Sequence, residues 1–315
     1  MPEAEIDVDV ALVHALLAEQ HPDLAGLPLH VAANGWDNVM VRLGDDLAVR
    51  LPRRALAAPL VEHEVRALPA LATRLHAVVP DVVVPAPVRV GRPSPALRYP
   101  WSWVVVPWAA GASGESTPVA RRTAWARELG LVLAAVHEPA PQDAPANPVR
   151  GVALRDRAEA RDPAAMDERL GHLPADQRGA ARHVWERALD APVFDGPPVW
   201  LHGDPHPANL VVAPGRDGQP DRLAAVVDWG DVTSGDPASD LGALWLCFDD
   251  AGRAACRATV QAQARDGQGW DDATWDRAAG WALLYATNLL AHPDLHPRLV
   301  PIGQHALTAL LADRG

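Results

Sequence analysis

The sequence contains no lysine, because all 28 of its basic residues are arginines. Whatever chemistry the protein performs therefore does not use a lysine amine. Only two cysteines, Cys247 and Cys256, occur in 315 residues, which is too few for a disulfide framework and indicates reduced thiols in a cytoplasmic protein. An uninterrupted apolar run of about 18 residues is also absent, and the sequence begins with acidic residues, so neither a membrane span nor a signal peptide is expected.

Positive charge is scarce relative to negative charge. The 28 arginines are set against 40 acidic residues, which gives a formal net charge of −12. A nucleic-acid-binding protein needs a basic face for phosphates, so this balance argues against nucleic acid as a partner. Hydrophobic residues make up 49% of the sequence, enough for a sizeable core. The length suggests about two domains.

The spacing of apolar residues predicts an α+β fold with two lobes. Predicted strands cover 30–33, 38–43, 47–51, 82–90, 103–108, 199–202, 210–213 and 223–228. Predicted helices cover much of the first 20 residues, 59–72, a segment capped by Thr117 with Pro118 in its first turn and ending before Pro139, parts of 151–190, and the chain after Gly235. The first lobe, residues 1–108, is a small antiparallel sheet with one helix, and the second, residues 109–315, is mainly helical.

Polar side chains are concentrated where the later predicted strands open into loops. They lie in the runs HGDPHPANL (202–210), VVDWGD (226–231) and GDPASDLG (235–242). Asp204 and Asn209 are five residues apart, the spacing of the catalytic-loop aspartate and asparagine in protein kinases, and Asp228-Trp-Gly has the form of D-F-G. One carboxylate can orient an acceptor hydroxyl, while a carboxylate and an amide oxygen can hold Mg²⁺. This set predicts phosphoryl transfer.

With these motifs the chain resembles the aminoglycoside phosphotransferase and choline kinase-like group, which has a protein-kinase-like fold. The segments NGWDNVMVRLGDDLAVRLPRR (34–54), WVVVPWAAG (103–111) and LAAVHEP (133–139) extend the resemblance over residues 30 to about 245. The resemblance implies Asp204 as catalytic base, with His202 supporting its loop. It implies Asn209 and Asp228 as Mg²⁺ ligands. Asp236 and Asp240 would tie the following helix to the catalytic loop.

The resemblance also implies a nucleotide site in the first lobe. Arg50 would take the place of the basic residue that contacts phosphates and pairs with a helix glutamate. Glu64 is the expected partner because it falls on the apolar stripe of the predicted helix, whereas Glu62 falls outside it.

Two further segments complete the implied nucleotide site. The turn Gly35-Trp36-Asp37-Asn38 would cover the phosphates with backbone N–H groups, and the connector at 105–108, including Val106 and Trp108, would present backbone groups to the base. Pro107 cannot donate there because it has no N–H.

The expected activity is transfer of the γ-phosphoryl group of ATP or GTP, with Mg²⁺, to a hydroxyl of an aminoglycoside-like antibiotic or related small metabolite. One alternative is a catalytically silent pseudokinase or nucleotide-binding module. Another is a metal-dependent hydrolase that uses His202, Asp204 and His206. The acidic residues of the helical lobe could hold a cationic acceptor or simply form solvated helix ends; they are Asp249, Asp250, Asp271 and Asp272.

Overall fold

The computed structural model describes most of the chain. The described residues are 4–35, 37–215, 217–291, 293–294 and 297–312, apart from the side chain of Asp266. Their strands are β1 (Leu29–Asn34), β2 (Asn38–Leu43), β3 (Leu47–Pro52), β4 (Arg89–Gly91), β5 (Trp103–Pro107), β6 (Ala112–Ser113), β7 (Val199–Leu201), β8 (Leu210–Ala213), β9 (Arg222–Val226) and β10 (Thr233–Gly235).

The α-helices of the described residues lie at the N-terminus, between β3 and β4, and throughout the second half of the chain. They are α1 (Val10–Gln20), α2 (Ala58–Val78), α3 (Val119–Arg122), α4 (Ala126–Val136), α5 (Ala158–Arg161), α6 (Pro163–Gly171), α7 (Arg178–Asp190), α8 (Ala238–Leu241), α9 (Ala243–Cys247), α10 (Asp250–Gln263), α11 (Asp272–Ala291) and α12 (Val300–Ala312). None of the described helices is long and apolar enough to cross a membrane.

The N-terminal strands form one antiparallel sheet of five strands, in the order β1-β2-β3-β5-β4. The β2–β3 hairpin turns at Gly44, whose φ of +62° is a conformation that glycine adopts readily. Alternate residues of β2 point into a separate apolar cluster with α1, in which Val13, Leu16, Val39 and Val41 are buried. The helix predicted in the first 20 residues and the strands predicted at 30–33, 38–43, 47–51 and 103–108 are therefore present.

The strand predicted at 82–90 is largely wrong, because only Arg89–Gly91 belongs to the sheet. Pro85 and Pro87 lie in the missing part and have no N–H for a ladder. Val83 instead reaches the second half of the chain, where its N–H donates to the Ala224 carbonyl (2.8 Å) and its carbonyl accepts from the Val226 N–H (3.2 Å). The segment thus connects the two halves rather than extending the first sheet.

Helix α2 runs past Pro69 to Val78 instead of ending near residue 72 as predicted. An internal proline costs a helix about 3 kcal/mol. Leu68, Leu71 and Leu75 are fully or almost fully buried on the same helix, and each buried leucine contributes about 1.5–3 kcal/mol. Their burial outweighs the lost hydrogen bond, so the helix continues.

The prediction that Thr117 caps the next helix is wrong. Pro118 occupies the N-cap position of α3, no side chain caps it, and the Thr117 carbonyl accepts from Arg122 Nε instead (2.8 Å). The predicted apolar stripe is nevertheless buried, and α4 ends before Pro139. Because the stripe packs against the later helices, burial rather than capping fixes this segment.

The C-terminal half is mainly helical, and it contains the largest apolar cluster of the described residues. That cluster includes buried residues of α4, α7, α9, α10 and α11 and the C-terminal half of α2. Two small sheets, β7–β10 and β6-β8-β9, lie beside it. The predicted α+β class, with an N-terminal antiparallel sheet and a helical C-terminal part, is confirmed. The loops that follow β7 and β9 carry the polar motifs.

Candidate functional site

One buried carboxylate supports the loop after β7 by accepting hydrogen bonds from its backbone. Asp240 on α8 is fully buried and accepts hydrogen bonds from the backbone N–H groups of His202 (2.7 Å) and Gly203 (2.9 Å). Gly203 has φ +93°, and a Cβ there would collide with the Asp231 carbonyl oxygen. The chain can therefore make this sharp turn only with glycine, and the turn places Asp204 at the surface of the loop.

Asp240 also connects the loop to α4. The ring Nε2 of His137, the residue that follows α4, lies 3.3 Å from Asp240 Oδ2, and both side chains are fully buried. Asp236 behaves differently from the expectation. Its carboxylate pairs with Arg277 on α11 (2.7 and 3.2 Å) and accepts from the Ala238 N–H (3.0 Å). Asp240 thus contacts the loop directly, whereas the Asp236 carboxylate anchors α8 to α11.

His202 is a support for the loop. Its Nε2 lies 3.0 Å from the Val227 carbonyl, and its Nδ1 accepts from the Asp204 N–H at 3.2 Å. The ring is buried against Trp229, with centroids 4.4 Å apart. Burial lowers the pKa of His202 despite the nearby carboxylates of Asp240 and Asp204. Both ring nitrogens of this neutral histidine are occupied, so it is not available as a metal ligand.

The Asp204 carboxylate is partly exposed and contacts two basic side chains. Arg150 Nη2 lies 3.0 Å from its Oδ1, and His206 Nε2 lies 3.4 Å from its Oδ2. Burial alone would raise the pKa of Asp204, but the charges of Arg150 and His206 outweigh it and hold the pKa below its usual range. Asp204 is therefore an ionised acceptor of hydrogen bonds.

Asn209 and Asp228 are brought together by the backbone. The Asn209 carbonyl accepts from the Val227 N–H (2.9 Å), which places the asparagine beside the residue that precedes Asp228. Asn209 Nδ2 donates to the Asp204 carbonyl (3.0 Å), which leaves Oδ1 as the acceptor of this side chain. Asp228 has φ +61° and a side chain 60% exposed. Two oxygen donors of this kind fit Mg²⁺, which commonly takes one or two protein ligands together with substrate phosphates.

Arg50 joins the N-terminal sheet to this loop. Its guanidinium forms an ion pair with Glu64 on α2 and lies 3.4 Å from Asp228 Oδ1. Both Arg50 and Glu64 are buried, while Glu62 is exposed, in agreement with the helical stripe. Burial would lower the pKa of Arg50, but the two carboxylates outweigh it and raise that pKa, so the guanidinium is charged. Burial raises the pKa of Glu64 although Arg50 opposes this shift.

The chain matches the model of the phosphotransferase enzyme family (APH) over residues 29–281. The chain belongs to this family. No protein with a curated description matches the sequence. Membership of this family confirms the resemblance, and it confirms the prediction that the protein is a phosphotransferase.

Solved structures of low identity share the fold of this phosphotransferase. The GDP complex of wild-type aminoglycoside 2'-phosphotransferase-IIIa has a TM-score of 0.67 and 18% identity, covering 98% of this chain and 100% of that one. The apoenzyme of macrolide 2'-phosphotransferase MphH from Brachybacterium faecium has a TM-score of 0.59 and 23% identity, covering 97% and 99%. A GDP and kanamycin complex of APH(2")-IIia has a TM-score of 0.65 and 17% identity, covering 96% and 99%.

The first hairpin turn of the phosphotransferase is fixed by two arginines. Arg53 is buried, and its Nη1 donates to Asn34 Oδ1 (2.5 Å) and to the Gly35 carbonyl (3.2 Å). Arg54 pairs with Asp37 at 3.0 Å. These arginines therefore hold the turn and do not form a solvated basic patch.

Asn38 and Trp36 complete that turn in the sequence. Asn38 lies at the start of β2, and its carbonyl accepts from the Gly35 N–H (2.9 Å). Its Oδ1 is buried without a hydrogen-bond partner among the described residues. Trp36, a residue of the predicted phosphate-covering turn, lies outside the described residues.

The connector predicted at 105–108 offers fewer free backbone N–H donors for a nucleotide base than the sequence suggests. Val106 is buried in the strand opposite Ala48. The Trp108 N–H donates to the Asp46 carbonyl (2.8 Å), and Arg42 lies over the Trp108 ring, 4.6 Å from its centroid. Because this N–H is already bonded, it is not a free donor for a nucleotide base.

The acidic residues of the helical part mainly cap helices or pair with arginines. Asp249 accepts from the Gly252 N–H at the start of α10 (2.9 Å), and Asp271 accepts from the Thr274 N–H and hydroxyl before α11 (2.8 and 2.6 Å). Asp250 pairs with Arg253. No group of three His, Cys, Asp or Glu side chains among the described residues is arranged to hold a metal ion.

Arg150 is the site residue that the sequence motifs did not reveal. It lies in a proline-rich loop outside every motif, and its partners Asp204 and Asp231 are distant in the sequence. No local sequence pattern predicts such a contact, because the contact depends on how the loop folds over β7 and β10.

Proposed function

We propose that this phosphotransferase transfers the γ-phosphoryl group of ATP or GTP, with Mg²⁺, to a hydroxyl of an aminoglycoside-like antibiotic or a related small metabolite. The observation that carries the proposal is the convergence of Asp204, Asn209 and Asp228 at the loops after β7 and β9, with Arg50 reaching Asp228 from the N-terminal sheet. Relatives solved with GDP and with ADP support testing both kinds of nucleotide.

Asp204 is assigned to the acceptor hydroxyl. Its ionised carboxylate accepts a hydrogen bond from the hydroxyl and orients the oxygen toward the γ-phosphorus. As the new oxygen–phosphorus bond forms, the bond from the γ-phosphorus to the bridging oxygen of the nucleoside diphosphate breaks. The hydroxyl proton passes to an Asp204 oxygen. The lowered pKa keeps this carboxylate ionised, and positioning rather than base strength dominates phosphoryl transfer.

Asn209 and Asp228 are assigned to the metal, and Arg50 to the phosphates. Mg²⁺ bound by the two side chains would neutralise charge on the nucleotide phosphates. Arg50, paired with Glu64, is held in place to contact the same phosphates. His202 is a positioning residue in this scheme, because its contacts are with the loop backbone.

The division of the chain belongs to the same proposal. Residues 1–108 would form the nucleotide-binding lobe, with Asn38, Val106 and Trp108 near the nucleotide, and residues 109–315 would form the catalytic and acceptor-binding lobe. The separate apolar cluster of the N-terminal sheet supports this division. The C-terminal half of α2 contributes to the larger cluster and would link the lobes.

The test is release of ADP or GDP in the presence of aminoglycosides, macrolides, amino sugars and choline-like alcohols, with the Asp204→Asn variant as control. Acceptor-stimulated release that is lost in the variant supports the kinase and identifies its substrate class. Nucleotide binding without turnover for any acceptor favours the pseudokinase. Hydrolysis of a substrate without any nucleotide requirement favours the hydrolase, which the occupied nitrogens of His202 already disfavour.

A further inference from the structure

Arg150 contacts two carboxylates, one in the loop after β7 and one in the loop after β9. Its Nη2 lies 3.0 Å from Asp204 Oδ1, and its Nε lies 3.7 Å from Asp231 Oδ2. The guanidinium also lies over the Tyr285 ring, 4.8 Å from the centroid. Its side chain is 20% exposed. A planar guanidinium can join two carboxylates and an aromatic face at once, which a lysine ammonium cannot do in the same geometry.

The segment that carries Arg150 is fixed by the side chain of Asn147. Asn147 Oδ1 accepts from the backbone N–H groups of Val149 (3.0 Å) and Arg150 (3.1 Å). Asn147 Nδ2 donates to Asp231 Oδ1 at 2.9 Å. Asn147 thus hydrogen-bonds one oxygen of Asp231, and the Arg150 guanidinium faces the other at 3.7 Å, so Asp231 is part of the support rather than a free carboxylate.

Gly151 fixes the other side of Arg150. Its φ is +67°, and a Cβ there would lie 2.6 Å from Leu201 Cδ1 on β7. Its N–H donates to Ser239 Oγ (3.3 Å), and its carbonyl accepts from the Asp236 N–H (2.9 Å). The backbone on both sides of Arg150 is therefore tied to the framework that supports the catalytic loop, and the arginine is preorganised rather than flexible.

The Asp204 carboxylate is consequently held on both of its oxygens. Arg150 contacts Oδ1 and His206 contacts Oδ2. His206 is itself fixed, since its Nδ1 accepts from the Ala208 N–H (3.2 Å). Without Arg150, the side chain of Asp204 could rotate toward solvent. A displacement of about 1 Å at a reacting group can cost about 100-fold in rate.

We propose that Arg150 is a positioning residue that fixes the Asp204 carboxylate in the orientation that receives the acceptor hydroxyl. This inference rests on the proposed role of Asp204. It assigns to the Asn147–Gly151 loop segment, which lies outside the catalytic motifs, a part in orienting the reacting groups. A purely structural arginine would instead affect stability and leave the rate of the folded enzyme unchanged.

The test compares Arg150→Met, Arg150→Lys, Asp204→Asn and the double variant Arg150→Met/Asp204→Asn. The rate is followed with γ-labelled nucleotide, using the best acceptor or, without one, water in Mg²⁺-dependent nucleotide hydrolysis. Arg150→Met should lower kcat about 10- to 100-fold, while nucleotide Kd changes less than about twofold. Arg150→Lys should recover part of the loss, because an ammonium restores one contact with Asp204.

The double variant separates an effect of Arg150 on kcat through Asp204 from an effect on kcat that does not depend on Asp204. If Arg150 acts through Asp204, adding Arg150→Met to Asp204→Asn should lower kcat by less than about twofold further. Arg157→Met is the matched control, because Arg157 lies in the same region over Trp281 but pairs with Glu159. It should keep wild-type kcat.

Each outcome distinguishes the two proposals. Wild-type enzyme without any nucleotide turnover overturns the proposed function, and the role of Arg150 with it. An active wild type and an impaired Asp204→Asn variant, combined with a normal kcat in Arg150→Met, overturn the role of Arg150 alone. Multiplicative losses in the double variant also overturn it. If Arg150→Met does not fold, either a wild-type kcat in folded Arg150→Lys or an Arg150→Lys loss that persists in the Asp204→Asn background overturns it.

Discussion

The Asp240 carboxylate accepts a hydrogen bond from the backbone N–H of His202, with 2.7 Å between Oδ2 and the nitrogen, and both residues are almost fully buried. The same carboxylate accepts the Gly203 N–H and contacts His137. One side chain on α8 therefore satisfies two backbone donors at the turn that leads to Asp204. Since buried donors without partners are costly, the conformation of the loop after β7 depends on this carboxylate.

Replacing Asp240 with alanine should destabilise the whole protein as well as the loop. The change leaves two backbone N–H groups and His137 without their acceptor in a dry interior, so we expect a loss of about 3–5 kcal/mol in the free energy of unfolding. Asp250→Ala is the matched control, because its carboxylate is 84% exposed and should cost less than about 1 kcal/mol. Urea denaturation measures both, and equal stabilities would contradict the support role.

The Asp228→Asn variant should lose the contribution of Mg²⁺ to nucleotide binding. Asparagine is the suitable replacement because Asp228 has φ +61°, a conformation that asparagine tolerates. The amide keeps the shape of the side chain but removes the charge that attracts the cation. Titrating nucleotide with and without Mg²⁺, followed by tryptophan fluorescence, measures the effect. The exposed turn variant Asp45→Asn serves as control, and an unchanged Mg²⁺ dependence in Asp228→Asn would refute its assignment.

The sequence reveals parts of the site that depend on local spacing. Asp204 and Asn209 are joined by one short loop, so their separation in the sequence limits their separation in space, and the structure places Asn209 Nδ2 3.0 Å from the Asp204 carbonyl. Helical periodicity likewise selects Glu64 over Glu62, because only one of them falls on the buried stripe of α2. Local geometry suffices for these residues.

Other features depend on contacts between distant segments, which local patterns do not encode. Arg150 meets Asp204 only because Asn147 is tied to Asp231, in the loop after β9, and Gly151 is tied to Asp236 and to Ser239 on α8. The segment around Val83 has the apolar composition of a strand, but it bonds to β9 instead of the first sheet. Helix α2 passes through Pro69 because tertiary burial outweighs a local breaker. In each case a long-range partner decides the outcome.

The Arg50–Glu64 pair allows stability to be separated from nucleotide binding. Arg50→Met leaves the Glu64 carboxylate buried without its partner, which should cost about 3–5 kcal/mol. The double variant Arg50→Met/Glu64→Leu replaces the pair with apolar side chains and should recover most of that loss. Urea denaturation of the single and double variants checks this order of stabilities.

Recovery of stability should not restore nucleotide binding. If Arg50 contacts the phosphates, the double variant lacks a charge-assisted contact and its nucleotide Kd should rise about 10- to 100-fold. Wild-type affinity in a stable double variant would show that Arg50 has only a structural role. Arg89→Met is a suitable control, because Arg89 is an exposed residue of β4 that pairs with Asp23 and not with Glu64.

The two cysteines should react very slowly with thiol reagents in the folded protein. Both are buried and unpaired with each other, and burial raises the pKa of Cys247 to about 12 and also raises that of Cys256. At pH 8 a thiol with such a pKa is ionised to only about one part in 10,000, and the thiolate is the reactive form. Labelling with a chromogenic disulfide should therefore be slow in buffer and rapid in denaturant. Complete labelling should then release two equivalents of the reagent's coloured thiolate per chain, one for each cysteine. Rapid labelling of native protein at pH 8 would mean that α9 or α10 opens readily, since Cys247 and Cys256 lie on these helices.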